Sequence, residues 1–115
     1  MTSPTASGMI HMSTWSVQGI RDAMAEGENG LDVKRWGVGL PFRAHAILCV
    51  VSLYDTIFEN PKKNRDDRLE LAMKEYKKRA HGTQFDMSPV LTRQLMFDMY
   101  DSVNKVVKAD KEGMA

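Results

Sequence analysis

The sequence predicts an all-α protein: a three-helix antiparallel bundle preceded by an extended N-terminal arm that carries a short helix. Three observations lead there. Apolar residues recur at three- and four-residue spacing in three long segments. Each long segment opens on a proline or on a residue that caps helices, and each of the first two closes on a helix-stopping pair, Asn60-Pro61 and His81-Gly82. The connections between them are short, which favours antiparallel neighbours.

At 115 residues and 43% hydrophobic content, the chain can bury one modest core but not two. The organisation read from the sequence is an arm and connector over residues 1–40, a three-helix domain over 41–108, and a fraying tail over 109–115. The formal net charge of +1 leaves no global field for a dedicated nucleic-acid binder, so any charge argument is local. Cys49, the single cysteine, excludes an intrachain disulfide framework and fits a reducing compartment. The longest apolar run, "AILCVV" at 46–51, is far short of the roughly 20 residues a spanning helix needs. The first 21 residues contain no acid and several hydroxyls, a faint transit-peptide character, and are read here as an uncleaved arm.

In chain order, Thr14 caps a short helix over 14–25 whose Val17, Ile20 and Met24 share a face. The glycines of "EGENG" should end it, and "LDVKRWGVGLP" carries too many glycines to resume one, so residues 26–40 read as an extended connector. Trp15 and Trp36, large aromatic residues in this poorly periodic region, are candidate partner anchors. Pro41 suits a first helical position. The pattern after it, with Ile47, Val50, Val51, Tyr54, Ile57 and Phe58, is apolar on nearly every side and predicts a central helix to about Phe58. Asn64 caps the second helix, Asp66 and Asp67 complement its dipole, and Leu69, Ala72, Met73, Tyr76 and Ala80 form its inner stripe. Ser88-Pro89 opens the third, whose stripe of Leu91, Leu95, Met99, Val103, Val106 and Val107 reaches about Lys108.

The sequence holds no recognisable catalytic signature. His45 and Cys49 stand four apart on one helix, but two ligands do not make a metal site, and an isolated cysteine in an apolar run is ordinarily packing. The acids fall on caps and polar faces. No phosphate-binding glycine loop is present. The expectation is therefore a protein that is not an enzyme and takes no cofactor or metal. The most suggestive polar feature is the basic cluster of Lys62, Lys63, Arg65 and Arg68, followed by Lys74, Lys77, Lys78 and Arg79. It reads either as a solvated face or as a landing surface for an acidic partner. RNA is the least favoured partner, because no aromatic platform is interleaved with the charges.

An apolar helix carrying Leu53-Tyr54, a turn rich in Pro, Asn and Arg, a helix ending "EYKKRAHGT", a Ser-Pro junction and a third amphipathic helix together resemble the LYR-motif family of small mitochondrial proteins. The resemblance covers about residues 42–107. It implies a three-helix fold and a role as accessory subunit or assembly factor of respiratory complexes and iron-sulfur systems. It also implies a partner, the acidic acyl carrier protein, met by basic side chains. Leu53 and Tyr54 match the motif; Asp55 occupies its arginine position and would set a like charge against the carrier, with Arg43 and the Lys77, Lys78, Arg79 group as compensation.

The function expected is thus a non-catalytic helical subunit or assembly factor of a large mitochondrial respiratory-type complex. It would lie on the matrix side or peripheral to the inner membrane and contact partners through Trp15, Trp36, Arg43, Leu53, Tyr54, Lys74, Lys77, Lys78 and Arg79. The alternative is a free helical regulator, of phage or bacterial type, that uses the basic helix to bind a protein or nucleic acid.

Overall fold

The computed structural model describes residues 15–28, 41–83, 86 and 88–114. They form four helices: α1 (Val17–Glu28), α2 (Pro41–Glu59), α3 (Arg65–Ala80) and α4 (Pro89–Met114). The all-α class is as predicted; the three-helix count is not. The short helix expected on the arm is a full member of the bundle, because Ile20 and Ala23 are buried with the core of the other helices. Burying an isoleucine side chain contributes about 1.5–3 kcal/mol, which a decorative helix would forgo. α2 and α4 form the central pair, and α1 and α3 flank them without touching each other.

The limits of α1 also differ from those predicted. Its cap is Ser16, whose Oγ accepts the Gly19 N–H at 2.9 Å; Thr14 lies outside the described residues. The helix runs through Gly27, which the sequence marked as a breaker. A Cβ there would sit 2.9 Å from Val51 Cγ2 and 3.2 Å from Ile47 Cγ2. Gly27 therefore lets α1 lie close against α2, and this contact outweighs its poor helix propensity of about 1 kcal/mol.

The starts of the later helices and the stops of α2 and α3 follow the sequence. Asn64 caps α3 by accepting the Asp67 N–H at 2.8 Å, and Ser88 Oγ accepts the Val90 N–H at 3.2 Å at the start of α4. After α3 the chain reverses in a type II turn: Thr83 N–H donates to the Ala80 carbonyl at 2.9 Å, and Gly82 at the third position takes φ of +78°. α4 continues past Lys108 into the segment expected to fray. Three contacts hold its last turns: Asp110 accepts from Tyr54 and from Arg21, and the Lys111 ammonium lies 4.7 Å from the centre of the Phe58 ring.

α3 runs antiparallel to both neighbours, as Ser52 with Arg79 and Asn60 with Arg68 show on the α2 side, and Lys77 with Asp86 and Arg68 with Tyr100 on the α4 side. No described helix is long and apolar enough to cross a membrane.

Candidate docking surface

The residues singled out in the sequence divide into those the fold consumes and those it leaves at the surface. Leu53 is wholly buried and is core. Tyr54 packs against the core from its edge. It is half-buried, stacks on Phe58 at 6.0 Å between ring centres, and donates its hydroxyl to Asp110 Oδ2 at 2.6 Å. Burial, and then that bond to an anion, push the Tyr54 pKa up to about 12. The same bond is the main cause of the lowered pKa of Asp110, which also accepts from Arg21 at 3.0 Å. The Leu-Tyr pair that carries the family resemblance thus fastens α2 into the core and to α4.

Asp55 and Arg79 face each other across the α2–α3 seam. Arg79 Nη2 donates to Asp55 at 2.5 Å, and its Nη1 donates to Ser52 Oγ at 3.0 Å. Arg79 is therefore a clamp between helices. Beside it is a polar hollow of about 240 Å³, lined by Asp55, Thr56, Glu59, Lys74, Lys78 and Arg79 among others. Thr56 is 4% exposed, and its hydroxyl has no hydrogen-bond partner among the described residues.

Arg43 is also structural. It grips Glu26 with two bonds of 2.8 and 3.2 Å, tying α1 to α2, and this pairing raises its pKa. Trp15 packs against the core, and its carbonyl accepts the Ser102 hydroxyl. Its described contacts are with the bundle. Trp36 lies outside the described residues.

His45 and Cys49 are both buried, with Cys49 Sγ 3.7 Å from His45 Nε2, which in turn meets Thr92 Oγ1 at 3.0 Å. The imidazole meets the Tyr76 ring edge-on at 5.2 Å. Burial lowers the pKa of the histidine and raises that of the thiol, so both are held neutral. The group stitches α2, α3 and α4 together. The described residues contain no cluster of three or more His, Cys, Asp or Glu that could hold a metal ion.

Of the basic cluster, Lys62, Lys63 and Arg65 are exposed in and just after the turn that leads into α3, and the other five residues fall into three classes. Arg68 and Arg79 serve the seams, Arg68 by donating to the Asn60 carbonyl at 2.9 Å and to the Tyr100 hydroxyl at 3.0 Å. Lys77 and Lys78 bridge Asp86 and Glu75 at 3.1 and 3.3 Å, yet their side chains stay 63% and 75% exposed. Lys74 is exposed and has no ion-pair partner among the described residues. Lys74, Lys77, Lys78 and His81 fall at i, i+3, i+4 and i+7 and line one open depression on the outer side of α3.

Two parts of this face escaped the sequence reading. On α4, Val90 is 79% and Phe97 51% exposed; they are seven residues apart, on the side opposite the core stripe. The Arg65 guanidinium lies over the Phe97 ring at 4.9 Å, while Arg93 pairs with Glu70, which places Phe97 and Arg93 along the α3 seam. The signal was present as apolar residues out of phase with the stripe. On α3, the exposed Asp66, Asp67 and Glu70 precede the lysines on the same side, which reading them as caps and polar-face positions did not bring out.

No family model, curated protein or solved structure matches this chain.

Proposed function

We propose that this chain is a non-catalytic helical accessory subunit or assembly factor that docks within a larger assembly through the outer face of α3 and α4. The observation that carries the reading is the exposed surface of these two helices: Lys74, Lys77 and Lys78 on α3 and the apolar Val90 and Phe97 on α4, with Lys77 sharing a crevice with Pro89, the neighbour of Val90. Most other charged side chains of the seams are spent on internal ties. A surface that combines mobile cations with an apolar aromatic anchor suits a protein partner carrying acids, since the charges steer the encounter and the aromatic group supplies the buried contact.

The resemblance to LYR-motif proteins supports a mitochondrial respiratory-type complex as the class of assembly. The acidic acyl carrier remains a candidate partner within this proposal, with Lys77 and Lys78 rather than Arg79 available to meet it. Gentle detergent extraction of cells expressing tagged chain tests the reading. A subunit stays with a large complex through fractionation, and the Val90→Ser/Phe97→Ser variant is released from it. Migration of the wild-type chain alone, away from any complex, contradicts the reading.

A further inference from the structure

The polar hollow between α2 and α3 has charges of both signs on its walls. α2 supplies Asp55 and Glu59, while α3 supplies Lys74, Lys78 and Arg79, with Glu75 the one acid on that side. Most of them close on one another, Arg79 with Asp55 at 2.5 Å and Lys78 with Glu75 at 3.3 Å. Glu59 and Lys74 do not. Both are exposed, and neither side chain has an ion-pair or hydrogen-bond partner among the described residues, so the hollow keeps one open carboxylate on its α2 wall and one open ammonium group on its α3 wall. Thr56 adds a third open group on the α2 wall: it is 4% exposed, and its hydroxyl is unpartnered among the described residues. A buried hydroxyl nearly always finds a partner, and one left without it beside a polar hollow marks a place where something outside the chain completes the bonding.

The lining selects the chemistry of the occupant. The three acids and three bases cancel, so the hollow favours neither charge alone. A simple anion would meet Lys74 but be opposed by Glu59, and a simple cation would meet the reverse. No aromatic side chain lines the hollow to stack a base or a sugar ring. Its volume of about 240 Å³ is below the ~300–1,000 Å³ of sites for drug-sized ligands, which limits the occupant to a small molecule. From this we infer that the hollow is a binding site for a small zwitterion of the α-amino-acid type, whose carboxylate meets Lys74 and whose ammonium group meets Glu59. The Thr56 side chain completes the site. Its hydroxyl is closed to water in the empty hollow, and a turn between the two χ1 rotamers that helical threonines populate presents it to the ligand. The inference stands apart from the docking reading, since Thr56 and Glu59 lie on α2 and not on the α3–α4 surface.

The test is an NMR titration of the full-length, isotope-labelled chain with each of the standard amino acids in turn, and with acetate and ethylammonium as probes that carry only one of the two charges. At least one amino acid is expected to give saturable shifts centred on the amides of Thr56, Glu59 and Lys74, and to bind at least about tenfold more tightly than either single-charge probe. Glu59→Gln and Lys74→Gln, both at exposed positions, should each weaken that binding by at least about tenfold. Thr56→Val, which keeps the shape of the side chain and removes the hydroxyl, should weaken it by a smaller factor. Circular dichroism verifies that each variant is helical; should Thr56→Val fail to fold, the two exposed variants decide. Failure of every amino acid to shift these amides overturns the site. Acetate that binds as tightly as the amino acids would make it an anion site and overturn the assignment to a zwitterion. Unchanged amino-acid binding in Glu59→Gln and Lys74→Gln would place the ligand elsewhere and also overturn it.

Discussion

α2 and α3 lie against each other and use polar residues in opposite ways. α2 is buried on nearly all sides, and its polar residues serve the interior: His45 and Ser52 are wholly buried, each bonded to a side chain on another helix. α3 buries a single stripe of Leu69, Ala72, Tyr76 and Ala80; Arg68 and Arg79 tie it to its neighbours, and its lysines and first-turn acids stay in water. A charge that water already solvates contributes little to the fold. The contrast teaches that a polar residue on α2 is explained by what it holds together, whereas an exposed lysine on α3 is explained by what it can meet.

Core truncations should give the largest effects and test where the core ends. Leu53→Ala and Ile20→Ala each remove a wholly buried side chain and should cost about 2–5 kcal/mol in urea unfolding. A comparable cost at both positions confirms α1 as core, while a negligible cost for Ile20→Ala would return it to the status of an arm.

Gly27→Ala sharpens the same point through its sign. On an exposed helix the change would stabilise by about 1 kcal/mol. Here the added Cβ meets Val51 and Ile47, and overpacking of this kind costs about 1–3 kcal/mol, so a net loss of thermal stability is expected.

The buried imidazole of α2 should give the stability of the bundle a pH dependence. Burial lowers the pKa of His45 below the value of about 6.5 that a histidine has in the unfolded chain. Its stabilising contribution is full above that value. As pH falls below it, the unfolded state binds a proton that the folded state resists, and stability drops until the lower folded pKa is reached. Melting temperatures recorded between about pH 7 and pH 5 should therefore fall, and His45→Gln should flatten the slope. An equal slope in the variant would assign the effect elsewhere.

Tyr54→Phe should be milder, costing about 0.5–1.5 kcal/mol, since it removes one partly exposed hydrogen bond to Asp110 and keeps the ring stacked on Phe58. The accompanying sign is that Asp110 loses its main stabilising partner and its pKa rises, which a carboxylate titration by NMR would record.

The pattern of these effects mirrors what could be read in the sequence. The positions of α2, α3 and the start of α4 were legible because their signals are local: an apolar period, a cap at Asn64 or Ser88, a stop at His81-Gly82. The role of α1 was hidden because Gly27 is a breaker by propensity, and only Val51 and Ile47 across the seam make it a contact. The end of α4 was missed for the same reason, since Asp110 and Lys111 are anchored by Arg21, Tyr54 and Phe58 from other helices. In the candidate surface, the three lysines were legible as an exposed stripe. Arg43 and Arg79 were not separable from them, because Glu26, Ser52 and Asp55 stand far away in the chain.

The claim that the lysines of α3 serve recognition and not folding is tested most directly by Lys74→Gln/Lys77→Gln/Lys78→Gln. Lysine and glutamine have similar helix propensities, so the melting temperature should shift by no more than exposed substitutions usually cause, about 0.5 kcal/mol of stability. Native mass analysis of tagged chain extracted from cells, wild type against this variant, is the decisive comparison. The expected result is partner masses bound to the wild type and absent from the variant at matched stability. Identical bound masses in both, or a variant that has lost its fold, would contradict the division of labour between α2 and α3.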